Sequence, residues 1–341
     1  MRADNAAPTL EERVASDVSD ADALRALVLR CRPVVIRGHC SHWPVVVAAA
    51  QGPDVAMAYL GRYDAGLTAE YFSAPASLDG RYHYGEGLSG FNFSREAIDV
   101  RDALARIGAN AGTGRETGYV GSLPTDAYFP GFADDNRNRV VDGHVRPRIW
   151  LGNRSTIACH YDSYDNLACV AAGRRRFTLY PPEAIGDLYV GPIDHTLSGQ
   201  PVSMAAGVAG DASAYPRFAA ARAKAIVVEL QPGDALYLPK LWWHQVEALD
   251  PVNILVNYWW DGFQAGPDSP YAALLLAMIA IAERPAPERA AWRAYFDHYV
   301  FRADGHPLAH LPQEKHGVLG PLAQGNYARI RTLVMRMLRG G

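Results

Sequence analysis

The sequence predicts a mainly β protein with flanking helices (α+β): a jelly-roll core, or double-stranded β-helix, followed by a C-terminal helical region. Between Arg148 and Asp261, short runs rich in β-branched and aromatic residues alternate with turn signals such as Pro232-Gly233-Asp234, the texture of a sandwich or jelly roll. The 31 glycines and 23 prolines among 341 residues favour many turns over a helical bundle. Beyond Gly262 the hydrophobic period lengthens to that of helices. The expected division is therefore a jelly-roll domain at 1–262, with an N-terminal helical and strand extension, and a helical region at 263–341.

Net charge is −3, so the chain carries no global basic footprint of a nucleic-acid binder. Cys31, Cys40, Cys159 and Cys169 form no C-x-x-C pair, and a chain this large needs no disulfide framework, which points to a reducing compartment. Met1–Val14 lacks the basic-then-apolar order of a signal peptide, so the cytoplasm is expected. The longest apolar run, Ala272–Ala282, is about half of the roughly 20 residues that cross a bilayer. It reads as a buried helix or a subunit interface, with no membrane span expected.

Residues 8–31 read as helical, with Leu24, Leu27 and Val28 on one stripe and Asp20 placed as an N-cap. Pro33 opens a β-branched strand, PVVIRG, closed by Gly38. From 50 to 120 the signals mix, and aromatics cluster in RYHYGEGLSGFNF at 81–93. The strand block follows: RIWLGN, the stretch around His160, RRRFTLYPP, AIVVEL, QPGDALYLP, HQVEAL and NILVNYWW. Residues 191–224, rich in Gly, Ala and Ser, interrupt it as an insertion or lid. Helices are expected near 269–284, 286–301 and 322–339. In the last, Ile330, Leu333, Val334, Met337 and Leu338 form an apolar stripe, and Arg329, Arg331, Arg336 and Arg339 lie off it as a solvated face.

Non-haem iron chemistry needs two neutral imidazoles and one carboxylate on one side of the metal. On a strand, residues i and i+2 point the same way, so His160-Tyr161-Asp162 can offer an imidazole and a carboxylate while Tyr161 faces away. With 11 histidines in the chain, an H-x-D match arises on the order of once by chance. This one is unique in the chain and sits inside the strand block. His244, after the Pro-Gly-Asp turn and beside Trp242 and Trp243, has the setting of a third ligand from a distant strand.

Such a metal would take 2-oxoglutarate by chelation and leave its far carboxylate to a cation inside the barrel. Strand parity selects that cation: Arg175 shares a face with Phe177 and Leu179, whereas Arg174 and Arg176 share one with Thr178 and Tyr180. A guanidinium suits two-point capture of a carboxylate. Asn166 and Asn257 are polar groups in apolar strands that either serve the cosubstrate or close a bond within the protein. Trp242, Trp243, Trp259, the aromatics of 81–93 and the insertion are candidates for the substrate wall, with core packing as the other role for the tryptophans.

The stretches HYDSYDNLACVAAGRRRFTLYPP, PGDALYLPKLWWHQVEAL and NILVNYWW resemble the core of the JmjC-related, cupin-like hydroxylases. Within that family they look most like proteins resembling the asparaginyl hydroxylase that inhibits hypoxia-inducible factor. RPVVIRGHCSHWP and GYVGSLP, around Tyr119, extend the resemblance over roughly residues 30–262. It implies Fe(II) ligands at His160, Asp162 and His244, and a 2-oxoglutarate pocket involving Tyr119, Asn166, Asn257 and Arg175. Two positions depart from the family pattern: Arg175 stands where a Lys is usual, and Ile157 where a hydroxyl is usual, with Thr156 displaced by one. The resemblance also implies a homodimer through C-terminal helices.

The expected activity is an Fe(II)- and 2-oxoglutarate-dependent dioxygenase that uses O2 to hydroxylate a C–H bond of a protein side chain or small molecule. A metal cupin that does not use 2-oxoglutarate and a tRNA-modifying hydroxylase are the alternatives.

Overall fold

The computed structural model describes residues 9–197, 199–207, 212–263, 266 and 268–340. The chain divides into two compact units, Met1–Gly262 and Phe263–Gly341. Among its described residues the first contains fourteen strands. They are β1 (Glu11–Val14), β2 (Val34–Arg37), β3 (Thr68–Pro75), β4 (Arg81–Tyr82), β5 (Ser94–Asp99), β6 (Glu116–Pro124) and β7 (Pro147–Gly152), then β8 (Ser155–His160), β9 (Asp165–Ala172), β10 (Arg175–Tyr180), β11 (Ile226–Leu230), β12 (Ala235–Leu238), β13 (Trp243–Ala248) and β14 (Asn253–Trp260).

Two sheets form, in the orders β1-β2-β12-β9-β14-β7-β6-β3-β5 and β11-β10-β13-β8-β4. The four-strand cores β12-β9-β14-β7 and β11-β10-β13-β8 interleave in sequence, which is the jelly roll the strand block predicts. Side-chain alternation divides the hydrophobic residues between two cores. Ala168, Val170, Phe177, Leu179, Val246 and Leu255 pack between the sheets. Leu167, Cys169, Ile254 and Val256 face outward. There they meet the helices α1 (Ala21–Val28), α2 (Pro44–Gln51), α3 (Pro53–Gly61) and α4 (Val100–Asn110), through Leu24, Val45, Leu60 and Ile107 among others. β9 is accordingly buried along its whole length, whereas β10, with one wet face, alternates until its last residues.

The N-terminal expectation of one helix over 8–31 is corrected. Only Ala21–Val28 is α-helical, capped by the Asp20 side chain accepting from the Ala23 N–H. Residues 11–14 instead run parallel to β2, Glu11 opposite Val34. Glu11 and Glu12 pair there with Arg30 and Arg37, partners that a helix at 11–14 would leave behind.

In the second unit the main helices are Pro270–Ile281, capped by Ser269, Ala286–Phe296 and Asn326–Leu338. Arg331 is ion-paired with Asp268 at 3.0 Å, so the basic face of the last helix is partly neutralised. No helix among the described residues is long and apolar enough to cross a membrane.

Candidate metal centre

Antiparallel register brings two imidazoles together. β8 and β13 are hydrogen-bonded neighbours with His160 directly opposite His244, and directly opposed side chains project from the same face. Their ring centroids lie 4.3 Å apart. Asp162 is not on the strand as the i, i+2 argument assumed; β8 ends at His160. Its main chain is held instead by the turn ahead of β13, where the Leu241 N–H donates to the Asp162 backbone carbonyl at 2.9 Å. Leu241 holds φ 68°, a left-handed conformation that costs a residue with a Cβ roughly 1–3 kcal/mol. Tyr161 does face away, its ring 4.9 Å from that of Trp243.

The donor atoms of His160, Asp162 and His244 lie within 4.8 Å of one another, the only group of this kind among the described residues. His160 Nδ1 is 2.8 Å from the Ala158 carbonyl and His244 Nδ1 is 3.0 Å from the Trp242 carbonyl. A carbonyl only accepts, so each Nδ1 carries a proton, and in the neutral ring Nε2 then keeps its lone pair for a metal. Burial, and next the neighbouring His160, push the His244 pKa down to about 4. Two neutral imidazoles and one carboxylate are a donor set for a divalent transition metal.

Two donors converge on one oxygen of the carboxylate. The Trp259 Nε1–H donates to Asp162 Oδ2 at 3.2 Å, and the Asn166 amide donates to the same oxygen at 3.5 Å. Behind Asn166, the Asn257 amide donates to Asn166 Oδ1 at 3.2 Å, and the Trp150 Nε1–H donates to Asn257 Oδ1 at 2.6 Å. Asn166 and Asn257 thus bond each other across neighbouring strands.

At the other end of the barrel a buried polar atom is left unsatisfied among the described residues. Arg175 is 5% exposed, and its Nε meets no acceptor. Arg174 and Arg176, on the outer face, reach carboxylates: Asp250 at 2.9 Å for the first, Glu229 at 3.5 Å for the second. Burial pushes the Arg175 guanidinium down to about 10, which leaves it charged at neutral pH. Tyr119 is the aromatic hydroxyl nearest to it electrostatically: burial raises the phenol pKa, and the Arg175 charge opposes that rise. The turn ahead of β10 requires glycine, because Gly173 has φ +67° and a Cβ there would sit 2.3 Å from Asn253 Oδ1.

Between the two ends lies a cavity of about 130 Å3, lined by Phe72, Tyr119, Trp150, Phe177, Leu255 and Trp259 besides the polar residues named. From the 191–224 insertion come Leu197, Gln200 and Val202, with the Leu197 carbonyl held by Arg95 at 2.6 Å. Ile157 lines the cavity, while the displaced hydroxyl of Thr156 opens on an outer groove beside Arg174 and Arg176. Of the three tryptophans proposed as wall, only Trp259 lines the cavity. Trp243 is buried on the opposite face, and the Trp242 Nε1–H donates to the Cys31 carbonyl. Sequence reasoning missed Trp150, although its parity, opposite to Ile149 and Leu151 in an outward-packed pair, marks it as inward-facing.

Residues 20–266 match the sequence profile of the family described as the cupin-like domain. The chain belongs to this JmjC-related family. Over 275 residues it is 28% identical to Jumonji C domain-containing protein 5 of Drosophila melanogaster, covering 74% of this chain and 63% of that one. It is 33% identical over 147 residues to human HSPB1-associated protein 1, covering 42% and 30%. With lysine-specific demethylase JMJ31 of Arabidopsis thaliana it shares 36% identity over 115 residues, covering 33% and 20%. Each match spans less than two thirds of the relative's own length. Members of the family are typically Fe(II)- and 2-oxoglutarate-dependent oxygenases.

Proposed function

We propose that the chain is an Fe(II)- and 2-oxoglutarate-dependent dioxygenase that hydroxylates a C–H bond of a protein side chain or small molecule. The observation that carries the reading is the Arg175 guanidinium, buried in the same cavity as His160, Asp162 and His244 with its Nε unsatisfied among the described residues. A buried cation without an anion is costly, and a dicarboxylate that reaches from the metal to Arg175 offsets that cost. When bound, iron and 2-oxoglutarate supply oxygen activation, with succinate and carbon dioxide as coproducts.

The chain's own residues bind, orient and exclude water. His160 and His244 offer Nε2, and Asp162 offers a carboxylate held by Trp259 and Asn166. Arg175 and Tyr119 receive the distal carboxylate, and the aromatic and aliphatic lining keeps the cavity dry. A metal cupin without 2-oxoglutarate would leave the Arg175 charge uncompensated. The demethylases among the relatives make a peptide side chain the first substrate class to screen.

The test is anaerobic loading with Fe(II) and 2-oxoglutarate, then oxygen and a succinate assay. Wild type forms succinate; wild type loaded with iron that forms none across substrate panels contradicts the reading.

The helical unit supports a second proposal, a homodimer contact. Leu274, Met278 and Ile279 are exposed on one apolar helix, Ile279 by 85%. Light scattering should give twice the 37.2 kDa chain mass, and Ile279→Glu should return the monomer.

A further inference from the structure

Around Asp162 the hydrogen bonds form a chain whose direction is fixed at both ends. An indole N–H can only donate, and a carboxylate can only accept. Trp150 Nε1 meets Asn257 at 2.6 Å, so Asn257 must turn its oxygen toward Trp150. Its amide nitrogen then faces Asn166 Oδ1 at 3.2 Å, and the Asn166 amide nitrogen faces Asp162 Oδ2 at 3.5 Å. Neither asparagine can flip without setting oxygen against oxygen or N–H against N–H. The usual ambiguity of amide orientation is thereby removed by chemistry alone.

A second donor-only group, Trp259 Nε1, reaches the same Asp162 oxygen at 3.2 Å. The two tryptophans brace each other edge to face, with centroids 5.6 Å apart, and the Arg148 guanidinium lies 5.8 Å from the Trp259 ring centroid. Arg148 is itself anchored on the Ser122 carbonyl at 2.7 Å. β7, β14 and β9 are consecutive neighbours in the sheet, so the relay runs across three strands and ends on one carboxylate oxygen.

We infer that Trp150, Asn257, Asn166 and Trp259 are positioning residues that hold the Asp162 carboxylate in one orientation for a divalent metal before any cosubstrate arrives. The inference rests on the metal assignment above and gives Asn166 and Asn257 work on the protein before 2-oxoglutarate is bound. Partners of this kind typically change metal affinity by about 10- to 100-fold when removed.

The test is titration of the metal-free protein with Co(II), without 2-oxoglutarate, read by calorimetry and by the visible ligand-field spectrum. Trp259→Phe and Trp150→Phe keep the rings and remove only the N–H donors. Trp259→Phe is expected to weaken Co(II) binding by about 10-fold or more and to shift the spectrum. Trp150→Phe, which leaves Asn257 Oδ1 without its donor, should weaken it by a smaller factor. Unchanged affinity and spectrum in both variants, or lowered melting temperature of the metal-free protein with unchanged Co(II) binding, would overturn the inference. Wild type that binds no Co(II) would instead overturn the metal assignment itself.

Discussion

The two ends of the barrel cavity are built on opposite rules. At the metal end each oxygen and N–H around Asp162 that the relay uses has a partner, down to the tryptophan at its far end. At the other end a guanidinium is buried with its Nε unsatisfied, one residue from arginines that do find carboxylates on the outer face. A connected network fixes an orientation; an unsatisfied charge recruits an ion. The difference separates pre-organisation from capture, and substitutions at the two ends should separate likewise.

The largest effect belongs to the metal end. His160→Ala removes a donor that no neighbouring residue can replace, and succinate formation should fall to background in a coupled assay. Next comes Arg175→Ala, which should raise the 2-oxoglutarate concentration needed for half-maximal rate roughly 10- to 100-fold, the value of hydrogen bonds to a charged group, with a smaller change in the rate at saturation. Arg175→Met should then raise the melting temperature of the ligand-free protein, by about 1 kcal/mol or more in unfolding free energy, while it loses cosubstrate binding. A drop in stability would mean that Arg175 has a structural partner. Thr156→Val is the smallest: its hydroxyl lies outside the cavity, and kinetics should match wild type. In wild type the guanidinium keeps its charge until pH approaches about 10, so the half-saturating 2-oxoglutarate concentration should stay flat from about pH 7 to 9.

Alternation made much of this legible in advance. The inward aim of Arg175 follows from its parity with Phe177 and Leu179, because β10 is regular and its outer face is wet. The strand block carried the jelly roll for the same reason. Where local pattern does not encode the answer, reading failed. Glu11–Val14 has no apolar alternation to mark it as a strand, and its identity comes from pairing with β2. Asp162 is set by a turn rather than by strand parity. Trp243 and Trp259 look alike in sequence, yet one packs against Tyr161 and the other against Asp162, a distinction made by which face each strand turns inward. The relay from Trp150 to Asp162 depends on register between three strands distant in sequence, and no single stretch announces it.

The most direct measurement of the two-ended cavity compares 2-oxoglutarate with pyruvate, a 2-oxo acid lacking the distal carboxylate, by calorimetric titration of the Mn(II)-loaded protein. Wild type should bind 2-oxoglutarate more tightly by roughly 10-fold or more, and Arg175→Ala should lose most of that preference while still binding the metal. Equal affinity of wild type for the two acids, or discrimination that survives Arg175→Ala, would contradict the account.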